Sequence, residues 1–314
     1  MKKLKLFAIT LSFLALYTSC RKDEQPTSTD DAKKYTSIGQ FYAEFAPKLQ
    51  THTINASTGG TFTTSQGTVV NIPANAFKTQ SGSAVTGNVT IEFKDIYKKS
   101  DMLLANVPTT AYWGAPIKSG GEFFIKAIQG SQALVMAAGK KIEVIQPILN
   151  GMAADTGMLP MVIINDSTGM GGWAVTGADT VVFSATSYIF NLYEFNNPVD
   201  SGSWCNSDNP NYFNNYQQTT LTMKPTDSPS IYHTDVFLVF KNINCMVHVY
   251  NYQNEFPYYY APIGLECTVV ALGVKDGKLY SSFVPITISA NQIVNFTLTE
   301  TTATDFTNKL NTLN

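Results

Sequence analysis

Side chains that commonly do chemistry are sparse in this chain. There are three histidines, His52, His233 and His248, and none has a second histidine or a cysteine at the helical spacing that sets two metal ligands on one face. Zinc is therefore not expected, nor is any other metal or cofactor. His248 falls between Met246 and Tyr250 on one face of a predicted strand, which suits a hydrogen-bonded structural histidine. The chain has no Gly-x-Ser-x-Gly elbow, His-Glu-x-x-His helix, phosphate-binding loop or Gly-x-Gly-x-x-Gly turn. No catalytic residue is assigned and the expectation is a protein that is not an enzyme. A glycosidase needs only two carboxylates roughly 5 to 9.5 Å apart in space, without a local motif, so that reading stands third.

Two stretches suit contact better than turnover. Tyr250, Tyr252, Phe256, Tyr258, Tyr259 and Tyr260 crowd a segment that ends at Pro262. Aromatic rings bring large contact area with few rotors to freeze, and tyrosine keeps a polar tip. Tyr252, Tyr258, Tyr259 and Tyr260 are the candidate ligand-binding aromatics, for stacking a sugar or gripping a protein; the alternative is that they fill a β-protein core. The run Trp204-Cys205-Asn206-Ser207-Asp208-Asn209-Pro210-Asn211 gathers oxygen ligands of the kind that hold Ca²⁺. It lacks the spaced acids and glycine of an EF-hand loop, and the same residues are turn formers, so a turn is expected there.

The chain opens with Lys2-Lys3, a short apolar run from Leu6 to Leu16, and Thr18-Ser19 before Cys20. That apolar run is well short of the ~20 residues a membrane-spanning helix needs. The order resembles the lipobox of bacterial lipoproteins, with Tyr17 standing where leucine is usual. The resemblance implies cleavage before Cys20 and lipidation of its thiol. Lys22, Asp23 and Glu24 are similar to the export tag that sends Bacteroidetes lipoproteins to the outer face of the outer membrane. The implied partner is thus a membrane, held through acyl chains on Cys20, with display toward the cell exterior. A polar stretch follows with Pro26, serines and threonines, the composition of a tether that cannot bury enough apolar surface to order.

Composition agrees with an exported β-protein. Charged residues make up only 14% of the chain, so the outer faces of its sheets must be covered largely by neutral polar groups. Basic and acidic residues number 21 and 23, and loss of Lys2, Lys3 and Lys5 with the leader makes the remainder more acidic. That balance argues against a nucleic-acid partner. After Cys20 three cysteines remain, an odd count that excludes a complete disulfide framework. Cys245 with Cys267, on neighbouring predicted strands, is the pair a single bridge would use; buried free thiols are the alternative.

The elements that must position these residues are mostly strands. One helix is signalled, with Ser37 and Gln40 as a capping-box pattern, Ile38, Phe41, Tyr42 and Phe45 at helical spacing, and Pro47 blocking continuation. Val89, Ile91 and Phe93 alternate with Thr90, Glu92 and Lys94, the period of a half-buried strand. Residues 236–240 are apolar on both faces, as in a central strand, and Asp276-Gly277 suits a tight hairpin. Phe306, Leu310 and Leu313 suit a short closing helix. The expected fold is all-β, with two β-sandwich domains after a lipoprotein signal peptide, a tether and one short amphipathic helix. The boundaries are 1–19 for the signal, 20–34 for the tether, 35–52 for a helix packing on the first domain, 53–150 for the first sandwich, 151–160 for a linker and 161–314 for the second.

Gly60-Thr61-Phe62 and Gly67-Thr68-Val69-Val70-Asn71-Ile72-Pro73-Ala74-Asn75-Ala76-Phe77 resemble the opening of the ZU-five domain, a β-sandwich family. Gly82, the run 85–91 and Ser119-Gly120-Gly121-Glu122-Phe123-Phe124-Ile125 are similar to Bacteroidetes surface lipoproteins that carry this domain. The resemblance covers residues 53–148 and implies a sandwich that makes protein contacts. Some relatives cleave themselves at a His-Phe-Ser site; that tripeptide does not occur in this chain, so self-cleavage is not implied. The combined expectation is a lipid-anchored cell-surface protein presenting an interaction or adhesion surface to an unknown protein or glycan partner. An accessory glycan-binding role for the tyrosine-rich stretch is the second reading.

Overall fold

The computed structural model describes residues 35–148, 153–165, 171–195, 202–226 and 233–314. Cys20, expected to carry the anchor, and Lys22, Asp23 and Glu24, expected to direct export, lie with the whole of 1–34 outside them. In chain order the first part comprises α1 (Ile38–Phe45), β1 (Gln50–Asn55), β2 (Gly60–Thr63), β3 (Val69–Ile72), β4 (Phe77–Lys78), β5 (Asn88–Ile96), α2 (Lys99–Ala105), β6 (Lys118–Gln129), β7 (Gln132–Ala133), β8 (Val135–Met136) and β9 (Ile142–Pro147). It continues through β10 (Leu159–Asn165), β11 (Gly171–Val175), β12 (Thr180–Phe183), β13 (Ser187–Leu192) and β14 (Ser203–Asn209). One sheet runs β1-β5-β6-β14-β10-β11, with β7 beside β6, and the facing sheet runs β12-β13-β9-β3-β2. Alternation builds the core between them: Val89, Ile91 and Phe93 of β5 are fully buried, as are Val70, Val144 and Phe190 from the facing sheet. Phe123 ties the layers, stacking on Phe93 at 5.6 Å and meeting Phe190 edge-on at 5.2 Å.

Sheet membership corrects the expected boundary at 151–160. β14 pairs with β6, placing Cys205 opposite Phe123, and β13 pairs with β9, placing Ile189 opposite Ile145. The strands from Leu159 to Asn209 thus complete the first sandwich rather than opening the second. Without them β6 and β9 would be open edges, and Val162, Phe190, Leu192 and Cys205 would be missing from the shared core. Glycine and proline around residue 155 mark a loop inside one sandwich. Gly67 closes the turn between β2 and β3, its N–H donating to the Thr64 carbonyl at 3.1 Å.

The second sandwich begins with β15 (Gln218–Pro225) and continues through β16 (His233–Phe240), β17 (Met246–Val249), β18 (Phe256–Pro262), β19 (Glu266–Lys275), β20 (Lys278–Thr287), β21 (Ile293–Phe296) and β22 (Thr299–Thr301), ending in α3 (Ala303–Asn311). Its sheets run β17-β16-β19-β20-β22 and β18-β15-β21. β16 is central and buried on both faces, as its apolar run requires: Val236, Leu238 and Phe240 face the other sheet, while Phe237 and Val239 face a layer of helices. Asp276 and Gly277, both at positive φ, form the tight hairpin between β19 and β20.

α1 starts as its sequence dictates, with the Ser37 hydroxyl accepting the Gln40 N–H at 3.3 Å. Its location is the correction: α1 packs on the second sandwich, not the first. Tyr42 donates its hydroxyl proton to Asp235 Oδ2 at 2.8 Å, Tyr35 N–H donates to the Gly277 carbonyl, and Phe41 meets Phe306 of α3 at 5.5 Å. The reason is complementarity, since Ile38, Phe41 and Tyr42 cover the outer apolar face that Phe237, Val239, Val270 and Leu272 present. α2, which carries no sequence expectation, buries Met102, Leu103 and Leu104 in the same layer and ends at Asn106 in the left-handed region.

Candidate functional site: an aromatic turn beside a buried polar seam

Residues 109–117 connect α2 to β6 and are held at both ends. The Thr109 N–H donates to the Met246 carbonyl, and the Met246 N–H donates to the Thr109 hydroxyl, each at 2.8 Å. Ala111 lies beside Trp173 in a parallel bridge, with Trp173 N–H donating to the Thr110 carbonyl and Tyr112 N–H to the Trp173 carbonyl. The indole of Trp173, buried, donates to the Pro108 carbonyl at 2.9 Å. Gly114 N–H donates to the Ala111 carbonyl at 2.8 Å and closes a β-turn whose two central residues are Tyr112 and Trp113. Those rings meet edge-on at 4.9 Å and are 62% and 43% exposed. Turn centres are normally glycine, proline, asparagine or aspartate, which ease backbone geometry. Two large aromatics at such a tip present contact area to the outside of the chain. Gly114, at φ +96°, abuts the ring of Tyr260 on β18, so the turn sits where the first sandwich meets the second.

The four tyrosines read from the sequence do not form one platform. Tyr258 points into the core of the second sandwich, where burial pushes its hydroxyl well above the usual tyrosine range. Tyr259 points the opposite way and is 60% exposed, and Tyr252 is exposed in the turn between β17 and β18. A register shift, between Thr219–Leu221 on one strand and their partners Ala261 and Tyr258, adds a residue to β18 and leaves Tyr260 half-buried 6.4 Å from Tyr258. Strand alternation therefore splits the cluster between core and surface. Tyr112 and Trp113, which sequence reasoning missed, were signalled by an aromatic pair directly before Gly114 and Pro116.

The other sequence candidates serve structure. His52 stacks on Phe62 at 3.9 Å, and burial lowers its pKa. His233 contributes its backbone to β16; its side chain lies outside the described residues. His248 stacks on Phe237 at 4.7 Å with Nε2 3.5 Å from Asp235 Oδ1. Among the described residues no three His, Cys, Asp or Glu side chains gather as a metal set. Cys205, Cys245 and Cys267 are free and buried. The possible bridge between Cys245 and Cys267 does not form, leaving the alternative of buried free thiols, because β16 runs between them: Phe240 N–H donates to the Cys245 carbonyl on one side, while Phe240 pairs with Cys267 on the other. Two strand spacings, ~9.5 Å, exceed the ~4.4 to 6.8 Å between Cα atoms that a disulfide spans. Burial pushes both thiols up to about 12.

The expected turn at 204–211 is, through Asn209, the strand β14, between β6 and β10. Its polar residues are buried because distant partners receive them. Ser207 Oγ donates to Gln146 Oε1 at 2.6 Å, and Gln146 Nε2 donates to the Gly121 carbonyl at 2.6 Å. Ser119 Oγ donates to Asn206 Oδ1 at 2.9 Å, and Asn244 Nδ2 from the second sandwich donates to the Ser119 carbonyl at 3.0 Å. Glu122 and Asp208 are fully buried, and burial raises both carboxyls well above the usual range; Asp208 adds to the rise at Glu122. Closed off from solvent, this pair is not placed to reach a polysaccharide, so it lends nothing to the glycosidase reading. Nearby, a pocket of about 190 Å³ is lined by Lys118, Ser119, Gly120, Tyr188, Tyr212 and Asn242, among others. There Lys118 pairs with Asp155 Oδ2 at 2.8 Å and lies over the Tyr212 ring.

Comparison of the chain with protein-family models, with curated proteins and with solved structures gives no match.

Proposed function

We propose that this protein is a lipid-anchored, non-enzymatic protein of the bacterial cell surface that grips a protein partner through the aromatic turn at Tyr112 and Trp113. The turn carries the reading: two exposed rings on a backbone pinned to Trp173 and Met246 meet a partner with little ordering cost. Tyr and Trp are the residues most often found at the energetic centres of protein interfaces. A protein partner is favoured over a glycan because Tyr258 belongs to the core and the rings of Tyr112 and Trp113 stand edge to face, not as a flat stacking platform. The ZU-five resemblance of residues 53–148 supports the same reading. Anchoring rests on the leader ending at Cys20, and display on Lys22, Asp23 and Glu24. Each acyl CH₂ buried in a bilayer contributes ~0.8 kcal/mol, so more than one chain on Cys20 gives a firm anchor. Fractionation of cells carrying Cys20→Ala tests the anchor: release from membranes is expected, and full retention contradicts it. Protease added to intact cells tests display, with digestion expected and complete resistance contradicting it.

A further inference from the structure

Glu122, Asn206 and Asp208 are polar groups that the aromatic turn does not use. Asn206 lies directly opposite Glu122 across the β14–β6 pair and Asp208, two residues on, shares its face; a register shift between Asn206 and Asp208 then sets Asp208 opposite Ser119, whose hydroxyl reaches Asn206. All four are buried. Neither oxygen of Glu122 and not the amide nitrogen of Asn206 has a hydrogen-bond partner among the described residues, and Ser119 is the one group that faces the Asp208 carboxyl to lower its pKa. Buried polar groups are almost always paired, and an unpaired buried carboxylate is among the costliest groups a fold can hold.

The Asn206 amide explains how one ligand answers all of them. Its oxygen takes the Ser119 proton while its NH₂ has no acceptor among the described residues. Turned over, a change that keeps the amide's shape, Nδ2 donates to Ser119 Oγ and Oδ1 joins the carboxylate oxygens. The result is a set made only of hard oxygen donors with two negative charges. We propose that Glu122, Asp208 and Asn206 form a site for a hard divalent cation, Ca²⁺. Oxygen donors without nitrogen or sulfur suit Ca²⁺ over zinc or copper, and the two carboxylate charges match it. Ser119, whose hydroxyl reaches Asn206, also lines the 190 Å³ pocket. The cation would brace β6 and β14 where Ser119 and Asn244 exchange backbone and amide hydrogen bonds between the sandwiches.

The test uses the full chain purified in detergent, stripped with chelator and dialysed against CaCl₂. One bound calcium per chain by elemental mass spectrometry and a Tm raised by at least about 3 °C at 5 mM CaCl₂ are expected. Tb³⁺ in place of calcium should luminesce through Trp204, two residues before Asn206 on the same strand. Asp208→Asn and Glu122→Gln should each weaken binding at least tenfold, while Glu143→Gln, at a carboxylate paired with Lys141 on the facing sheet, leaves it unchanged. A wild-type chain that retains no calcium and shows no Tm shift overturns the site, whatever the variants do. Equal loss in Glu143→Gln also overturns it, as does calcium binding by Asp208→Asn and Glu122→Gln that is as tight as in the wild-type chain.

Discussion

Gly172 and Tyr112 are in direct backbone contact: a β carbon on Gly172 would stand 2.5 Å from the Tyr112 Cα and 2.8 Å from its nitrogen. The aromatic turn can lie against β11 only because that strand has no side chain at this point. Gly172→Ala forces the backbones apart, and neither is a flexible side-chain end that moves cheaply. A loss of about 1 to 3 kcal/mol in stability is expected, measured by chemical denaturation. An unchanged midpoint would show that the turn is not seated as described.

Exposed and buried tyrosines should separate cleanly. Tyr112→Ala and Trp113→Ala remove exposed rings and should change stability by no more than about 0.5 kcal/mol. Tyr258→Ala opens a cavity in the second core and should cost about 3 kcal/mol or more. Thermal and denaturant unfolding of the three variants checks this, and equal costs would contradict the placement of the turn at the surface.

Asp179 sets a pH dependence with a definite sign. Burial, reinforced by Glu194, raises its carboxyl from 3.8 to about 6, although the Tyr193 N–H donates to Oδ1 at 2.8 Å. The folded chain holds this proton more tightly than the unfolded chain. Stability from this residue is therefore lost as pH rises from about 4 to about 6, and the penalty is complete above that window. Asp179→Asn should stabilise the protein at pH 7.5 by roughly 1 to 3 kcal/mol and do little at pH 4. The amide NH₂ inherits the position of Oδ2, which has no partner among the described residues, and this holds the gain toward the lower figure. Denaturation curves at the two pH values decide it, and a destabilised variant at pH 7.5 would contradict the sign.

Cys205, Cys245 and Cys267 should all react as thiols once the chain is unfolded. Alkylation in denaturant without reductant, followed by peptide mass spectrometry, should label all three, and the folded chain should react slowly because each thiol is buried. A peptide joined through Cys245 and Cys267 would contradict the strand order that puts β16 between them.

Much of the fold was legible in local pattern. The alternation of Val89, Ile91 and Phe93, the doubly apolar run of β16, the Asp276-Gly277 turn and the Ser37 cap each follow from period or backbone preference, and each is found. What was not legible depends on partners far along the chain. Asn206, Ser207 and Asp208 read as turn formers, yet Gln146, Ser119 and β6 make them a central strand. The sandwich boundary was misplaced because loops within and between sandwiches carry the same glycine and proline signals, and only pairing of β13 with β9 and β14 with β6 tells them apart. Cys245 and Cys267 flank the tyrosine-rich stretch, one just before β17 and the other in β19, but sheet order is not chain order. The proposed contact site was half legible: aromatic enrichment drew notice to 250–260, while the pair at 112 and 113 stands out only through a turn closed by Gly114 and Ala111.

The contact role itself is tested most directly by placing a photo-reactive benzophenone amino acid at position 113 and irradiating intact cells. A discrete higher-mass adduct containing a protein partner is expected at position 113 and absent when the same group replaces the exposed Asn308 of α3. No adduct at 113, or the same adducts at 113 and 308, would contradict a partner held by the aromatic turn.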